Sequence, residues 1–402
     1  MDVAELTALL TPEGLRLLDS LDPIDSTADV AAAVTRLRKD GHSPDLVSAV
    51  VGQARLRQRA EAKFGEFAQR MLFTRAGLEQ ATRLVVAAKH AGRFRDAGVE
   101  TVADLGCGIG GDALGFAALG LHVEAVDADE ITAAIAAYNL APFGDQVSVR
   151  HGRAEDADLA GVDAVWLDPA RRTAGHKETS RTRPEDWSPS LDWALDLASR
   201  IPTGIKLGPA IDRDLIPDDV EAQWVSADGS TIELVLWSGT LAREGVRRAA
   251  LVIRDDTAHE LTAAADAPDE PVRALGAYLH EPDGAVIRAR LIGEVARSLD
   301  AGMLDEHIAY LTSDAALTSP FVSTFRVVDE LPTATKELSR ALRDRGVGRL
   351  EIKKRGVDID PAAYRTALKL RGPEEATLFV TRVGSRRRAI LAERVRRPAS
   401  AA

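Results

Sequence analysis

The sequence predicts an α/β fold: a largely parallel sheet that closes with an antiparallel hairpin, a helical segment before it and a small α+β segment after it. Three observations predict it. From residue 100 onward strand-like and helix-like segments alternate, as they do when parallel strands are covered by helices on both faces. A glycine-rich turn, Gly106-Cys107-Gly108-Ile109-Gly110-Gly111, separates the first strand-like segment from the first helix-like one. Beyond residue 220 the alternation gives way to two strand-like runs, Ala222–Ser226 and Ile232–Trp237. They are joined by Ala227-Asp228-Gly229-Ser230-Thr231, a hairpin signal.

Taken in order, residues 1–95 read as a helical domain. Leu6, Leu9 and Leu10 are followed by Leu15, Leu17 and Leu18, and Thr11-Pro12-Glu13 is a helix start with proline at its first position. Ser43-Pro44-Asp45 starts another helix, with Leu46, Val47, Val50 and Val51 at helical spacing. A third helix is predicted from Gly77 to Phe94. None carries catalytic residues by type, so the segment reads as accessory. Residues 96–255 form the α/β domain. Strands are predicted at Thr101–Leu105, His122–Asp127, Val147–Arg150, Ala164–Leu167 and Thr203–Leu207, and helices at Asp112–Leu119, Glu130–Asn139 and Leu191–Ser199. Arg247–Arg254 adds a strand, and residues 255–275 read as a linker. Residues 276–402 form an α+β region. Its predicted strands are Ala285–Ile292, Phe321–Val328, Arg349–Lys353, Ala376–Val383 and Arg387–Glu393, and its helices Thr335–Arg345 and Pro361–Leu370.

Composition narrows the classes. With 402 residues, two or three domains are expected, and an apolar fraction of 45% is enough for sizeable cores. No apolar run reaches transmembrane length, and the N-terminus, Met1-Asp2-Val3-Ala4-Glu5, is acidic where a signal peptide is basic. A single cysteine, Cys107, excludes an internal disulfide framework and a Cys-based zinc cluster. The eight histidines show no His-x-x-x-His spacing, so no metal is expected. A cytoplasmic location is expected. The net charge of −11 argues against indiscriminate nucleic-acid binding. It is unevenly spread, however: residues 321–402 hold 19 basic against 10 acidic side chains. A basic appendage on an acidic body results.

The chemistry centres on the glycine turn. Glycine is needed where the backbone bends sharply and a ligand lies against it without room for a Cβ. Gly106, Gly108 and Gly111 satisfy the G-x-G-x-x-G of a dinucleotide site, whereas Gly106, Gly108 and Gly110 satisfy the tighter G-x-G-x-G of S-adenosylmethionine (SAM) sites. Both readings want Asp127, at the end of the second strand, for ribose hydroxyls. Asp104 separates them: a carboxylate just before the first glycine suits a cationic amino acid moiety and repels a pyrophosphate. Glu155, after the third strand, is placed to receive an adenine amino group. Asp168-Pro169 ends the fourth strand, at the sheet edge where α/β ligands bind.

These residues resemble the class I SAM-dependent methyltransferases. Asp104-Leu105-Gly106-Cys107-Gly108-Ile109-Gly110-Gly111 is similar to their first motif and Ala125-Val126-Asp127-Ala128-Asp129 to their second. The resemblance is best to the trimethylguanosine synthase-like branch and to bacterial proteins with a C-terminal THUMP-like domain, here residues 325–395. It covers residues 60–255 well and the C-terminus more loosely. It implies a Rossmann-like methyltransferase sheet, SAM as cofactor, and Asp104, Gly106, Gly108, Gly110, Asp127, Ala128 and Glu155 as its binding residues. Phe73–Thr82 resembles the segment that closes over SAM in this branch, with Gln80 and Thr82 as candidate contacts. Asp168-Pro169-Ala170-Arg171 stands where these relatives carry Asp-Pro-Pro-aromatic, a clamp for an exocyclic amine and its ring. Ala170 and Arg171 depart from that pattern, and the ring would have to be held from elsewhere, by Trp187 or Trp193.

Direct displacement is the mechanism this predicts. Asp168 accepts a hydrogen bond from the acceptor N–H, Pro169 shapes the entrance, and alignment lowers the barrier. Arg171 and Arg172 are candidates to hold a substrate phosphate. Residues 173–189, with His176 and Lys177, read as a mobile loop over the site. Lys353-Lys354-Arg355 and Arg386-Arg387-Arg388 are candidates to track an RNA backbone, and a THUMP-like domain implies RNA. A cysteine nucleophile is disfavoured because Cys107 lies inside the glycine turn. The alternatives are a small-molecule or protein acceptor, a non-catalytic SAM- or RNA-binding module, and an NAD-dependent enzyme.

Overall fold

A computed structural model describes residues 1–24, 26–171, 187–255 and 257–395, with the backbone alone at Ala170 and Arg171. The chain divides into two compact units: residues 1–207 with 236–242, and residues 208–235 with 243–402.

In the first unit, local signals start the helices. α1 (Val3–Leu9) opens on a capping box between Asp2 and Glu5, and α3 (Thr27–Lys39) on one between Ser26 and Asp29. α2 (Pro12–Asp19) and α4 (Pro44–Phe64) each have proline in the first turn behind a Thr11 or Ser43 cap. Ile24, Ala33, Leu37, Val47 and Val51 bury the apolar faces of this bundle. The helix predicted from Gly77 to Phe94 is in fact two, α5 (Arg75–Gln80) and α6 (Leu84–Asp96). The break has a physical cause. The Lys63 ammonium takes the carbonyls of Leu78, Glu79 and Ala81 at 2.8 Å each, and the Thr82 hydroxyl is drawn into a buried carboxylate.

Five parallel strands follow: β1 (Thr101–Leu105), β2 (His122–Asp127), β3 (Val147–His151), β4 (Ala164–Leu167) and, later in the chain, β7 (Thr203–Leu207). Their order is β3-β2-β1-β4-β7, and α7 (Gly111–Ala118), α8 (Glu130–Leu140) and α9 (Leu191–Ala198) are their crossovers. Because all five strands run parallel, their carboxyl ends lie at one edge. A two-stranded ribbon, β5 (Ala170–Arg171) with β6 (Trp187–Ser188), rises from that edge directly after β4. Behind the sheet, His90, Phe94, Phe116, Trp166 and Trp237 form one aromatic cluster, with His90 and Trp166 centroids 4.4 Å apart.

In the second unit, β8 (Glu221–Ala227) and β9 (Ser230–Trp237) form the expected hairpin, but with a two-residue turn. Asp228 and Gly229 both have positive φ, 50° and 78°, which suits the twist of paired strands. The last two residues of β9 belong to the first unit, where Ser238 N donates to Thr203 O at the start of β7. β10 (Arg248–Arg254) runs parallel to β8. The predicted linker is corrected here: Thr257–Ala263 is a strand, β11, antiparallel to β10. It looked like a linker because an edge strand is half-exposed and polar. Ala285–Ile292, predicted as a strand, is also corrected. Asp283 caps a helix, α10 (Gly284–Arg288), and α11 (Ile292–Ser298) follows. A seven-stranded sheet completes the unit. β12 (Tyr278–Pro282), β13 (Gly302–Asp305) and β14 (Ile308–Ser313) join β15 (Val322–Leu331), β16 (Val347–Lys354), β17 (Glu374–Val383) and β18 (Arg386–Arg394), in the order β13-β14-β12-β15-β18-β17-β16. α12 (Thr335–Asp344) and α13 (Pro361–Leu368) bury Leu338, Leu342 and Leu368 against Leu350, Leu378 and Val380. No helix among the described residues is long and apolar enough to cross a membrane.

Candidate functional site

The site grows from the carboxyl ends of β1, β2, β4 and β7. β1 is buried and must turn abruptly. Gly106, Gly108 and Gly110 take φ of +91°, +57° and +87°, a region that side chains disfavour. A Cβ on Gly106 would stand 2.9 Å from the Asp168 carbonyl oxygen, so only glycine lets the β1 and β4 ends approach this closely. A Cβ on Gly110 would press on Leu140 at 3.0 Å. Around Gly108, by contrast, no atom of the described residues lies within 4 Å of where a Cβ would stand. The amides of Gly106 and Cys107 both donate to Val126 O, which ties the loop to β2.

Asp104 sits beneath this loop, in register with Ala125 and Trp166. Its carboxylate is buried, and among the described residues neither oxygen has a hydrogen-bond partner. Burial, aided by the charges of Asp112 and Asp168, holds it well above the usual carboxylate range. Asp127, at the end of β2, accepts from the amides of Gly108 and Asp129 at 2.9 Å each. Burial still raises it, against those two bonds. Ala128 is exposed beside it, with its carbonyl 3.2 Å from His151 Nε2. Glu155 lies on a short 3-10 turn after β3 and pairs with Arg153 at 2.9 Å.

Asp168 and Pro169 follow β4 at the same edge. The Asp168 carboxylate is met at 2.5 Å by the ammonium of Lys206, from β7. Lys206 also donates to the Thr82 hydroxyl at 2.9 Å and lies 3.4 Å from Asp112 Oδ2. The Thr82 hydroxyl donates to that same Asp112 oxygen at 2.7 Å, and His90 Nδ1 meets its other oxygen at 2.9 Å. Burial works against the Asp112 charge, but Lys206, His90 and Thr82 outweigh it and hold the group well below the usual range. A buried chain His90–Asp112–Thr82–Lys206–Asp168 thus ends at the sheet edge.

The structure therefore brings Asp104, Gly106, Gly108, Asp127, Asp168 and Thr82 to neighbouring strand ends. Arg172, His176 and Lys177 lie outside the described residues, as does most of the predicted loop over the site; Arg171 is seen as backbone only. Trp187 pairs across the ribbon from Arg171; its ring is buried and, among the described residues, its indole N–H has no partner. Trp193, on α9, is half-buried. Gln80 is exposed at the end of α5. The Cys107 thiol is buried, and burial together with Asp104 and Asp127 pushes it up, away from nucleophilic use. Sequence reasoning missed Lys206, Asp112 and His90. One signal was available: Lys206 is one of nine lysines in a chain with 42 arginines, and it interrupts an apolar strand.

The buried carboxylate of Asp104, without a partner among the described residues, fits a ligand with a cationic amino group, which favours its ionised form. This sheet order, with its glycine loop and its carboxylates at one edge, defines the S-adenosylmethionine-dependent methyltransferase class. Comparison with known proteins agrees. The chain is 32% identical over 360 residues to an uncharacterised S-adenosylmethionine-dependent methyltransferase of Mycobacterium tuberculosis, a match found in two strains that covers 87% of this chain and 96% of the relative. The chain belongs to this family of S-adenosylmethionine-dependent methyltransferases. Residues 322–394 match a THUMP domain-like family, and residues 2–60 match a domain of unknown function. A crystal structure of a candidate methyltransferase from Porphyromonas gingivalis shares the fold, with a TM-score of 0.69 at 20% identity over 92% of this chain and 99% of that one.

Proposed function

We propose that this enzyme methylates RNA, with the acceptor held at Asp168. The observation that carries the site reading is the buried Asp104 carboxylate, without a partner among the described residues, under the glycine loop and one strand away from Asp168. Bound there, SAM supplies a methyl group already activated on a sulfonium, so acid activation of the donor is not needed. Asp104 receives the amino group, and the Gly106, Gly108 and Gly110 backbone leaves room for the cofactor. Asp127 accepts from ribose hydroxyls beside Ala128, Glu155 from the adenine amine, and Thr82 closes the near side.

Asp168 accepts a hydrogen bond from the acceptor N–H and takes its proton after transfer. Pro169 walls the entrance, and Arg171 and Arg172 hold a flanking phosphate. Lys206, 2.5 Å from the Asp168 carboxylate, holds it in place at the strand end. RNA is favoured by the THUMP domain-like segment and by the β17–β18 hairpin. Arg382 pairs across that hairpin with Arg387, and Arg386 and Arg387 are exposed. Of the other predicted RNA contacts, Lys354 is exposed and three are engaged within the chain, and Arg387 itself lies over the Tyr364 ring, 5.4 Å from its centroid. Lys353 pairs with Glu281 at 2.7 Å, Arg388 with Glu330, and Arg355 stacks on Tyr310. The working division is a helical domain at 1–95, a methyltransferase domain at 96–255 and an α+β region at 276–402, acting in the cytoplasm.

The test is transfer of tritiated methyl from SAM to total RNA, total protein and small-molecule extracts, followed by nucleoside mass spectrometry. RNA labelling that disappears with Asp168→Ala is the expected result. Label confined to protein or small molecules removes the RNA assignment.

A further inference from the structure

Between α4 and α5 the chain passes through Met71, Leu72 and Phe73, all buried, with Met71 extended. Among the described residues no strand pairs with them; side chains do so instead. Gln53 Nε2 donates to Phe73 O at 2.6 Å, and Phe73 N donates to Gln53 Oε1 at 2.9 Å. Asn139, from α8, treats Leu72 the same way, at 2.7 and 3.0 Å. Arg57 Nε donates to Met71 O at 3.0 Å. The Asn139 amide also donates to Ile109 O, inside the glycine loop, at 2.9 Å. Two carboxamides thus hold a peptide as neighbouring strands would, and one of them also holds the loop.

The rest of the segment is pinned from the same helix. Gln53, Arg57, Ala60 and Phe64 are buried along one stripe of α4, at helical spacing. Lys63 caps the end of α5. Gly77, in α5, packs so tightly on Ile109 that a Cβ there would lie 2.5 Å from Ile109 Cγ2, and Thr82 closes onto Asp112. A fully buried glutamine and a buried arginine on one helix stripe are costly unless their hydrogen bonds fix something. Here they fix the path of residues 71–82 across the glycine loop.

We infer that the N-terminal helical segment, whose family match carries no function, is a working part of the cofactor site: α4 clamps residues 71–82 onto the glycine loop and so sets the affinity for SAM. Gln53 and Asn139 are positioning residues in this account, which rests on the SAM reading of the site.

The experiment is calorimetric titration of the full-length protein with SAM, paired with hydrogen exchange over residues 71–82. Three proteins are compared: wild type, Gln53→Met, and Leu37→Ala, which loosens the packing of α3 on α4 at Val47 and Val51 but removes no hydrogen bond to residues 71–73. Gln53→Met is expected to weaken SAM at least tenfold and to speed exchange in residues 71–82, with saturating SAM restoring protection. Leu37→Ala is expected to bind SAM within twofold of wild type. If Gln53→Met does not fold, Arg57→Lys, which keeps a cation near Asp19, is read the same way. Clamp variants that bind SAM as wild type does, or an equal loss in Leu37→Ala, overturn the inference alone. A wild type that binds no SAM overturns the site reading and this inference together.

Discussion

The Lys206 ammonium lies 2.5 Å from the Asp168 carboxylate and 3.4 Å from Asp112 Oδ2, so one cation serves two acids on different elements. Removing it leaves Asp112 charged and buried with less compensation. Lys206→Met is expected to lose about 3–5 kcal/mol of stability, the usual result of deleting one partner of a buried pair. Urea unfolding measures this; a loss below about 1 kcal/mol, the range of a surface pair, counts against the network. Lys206→Arg, which keeps the charge, is expected to retain most of the stability and less of the methyl transfer.

Asp112 adds an acid-side prediction. Its folded pKa is depressed, so its contribution is present above the unfolded value and is lost as pH falls through the folded one. Wild type is therefore expected to lose stability steeply only below about pH 4, the unfolded aspartate value. Asp112→Asn is expected to be less stable at pH 7, with a shallower acid slope. Equal slopes in the two proteins would remove Asp112 from this role.

Asp104 behaves oppositely. Burial raises its folded pKa, so the stability it confers is present below the unfolded value and lost as pH rises through the folded one. A cationic amino group requires the ionised form, so SAM binding releases a proton. Affinity is expected to tighten by about tenfold per pH unit until that pKa is passed. Asp104→Asn is expected to stabilise the free protein at pH 8, weaken SAM and abolish the pH dependence. Calorimetry in two buffers of different ionisation enthalpy reads the proton directly. PH-independent affinity in wild type would dismiss Asp104 as the amine receiver.

Two glycines separate geometry from occupancy. Gly106→Ala faces the Asp168 carbonyl at 2.9 Å and a φ of +91°, so Asp168 must shift. A cost of about 1–3 kcal/mol is expected, with methyl transfer falling more than SAM affinity. Gly108→Ala meets no atom of the described residues within 4 Å, at a φ of +57°. Its added methyl enters the proposed cofactor volume, and SAM affinity falls first. Steady-state kinetics beside calorimetry distinguish the two; the reverse ranking contradicts the placement of both residues.

The basic hairpin carries the RNA prediction. Replacing Arg386 and Arg387 by alanine is expected to lower the slope of log K against log salt by roughly 1.4–1.8, one phosphate contact each, with SAM affinity unchanged. An unchanged slope in filter binding to total transfer RNA and ribosomal RNA excludes that hairpin as the RNA contact.

Much was legible from local chemistry. Proline and serine or threonine at helix starts located α2 and α4, and an apolar run closed by glycines located β1 and its loop. Reading failed where context overrode pattern. Val286, Ile287 and Ile292 look like strand residues, yet the Asp283 cap and burial make helices of them. A convincing helical pattern breaks at Ala81-Thr82-Arg83, where Lys63, sixteen and eighteen residues earlier in sequence, takes the carbonyls of Glu79 and Ala81.

By itself the sequence determined the glycine turn and the strand-end carboxylates Asp104, Asp127 and Asp168, because a positive φ and a strand's end are local properties written in adjacent residues. Only the tertiary structure decided which groups those acids face. Lys206 reaches Asp112 across 94 residues of chain and Asn139 reaches Leu72 across 67. Such pairings leave no periodic trace, since a side chain's partner is set by how elements pack and not by its neighbours in sequence.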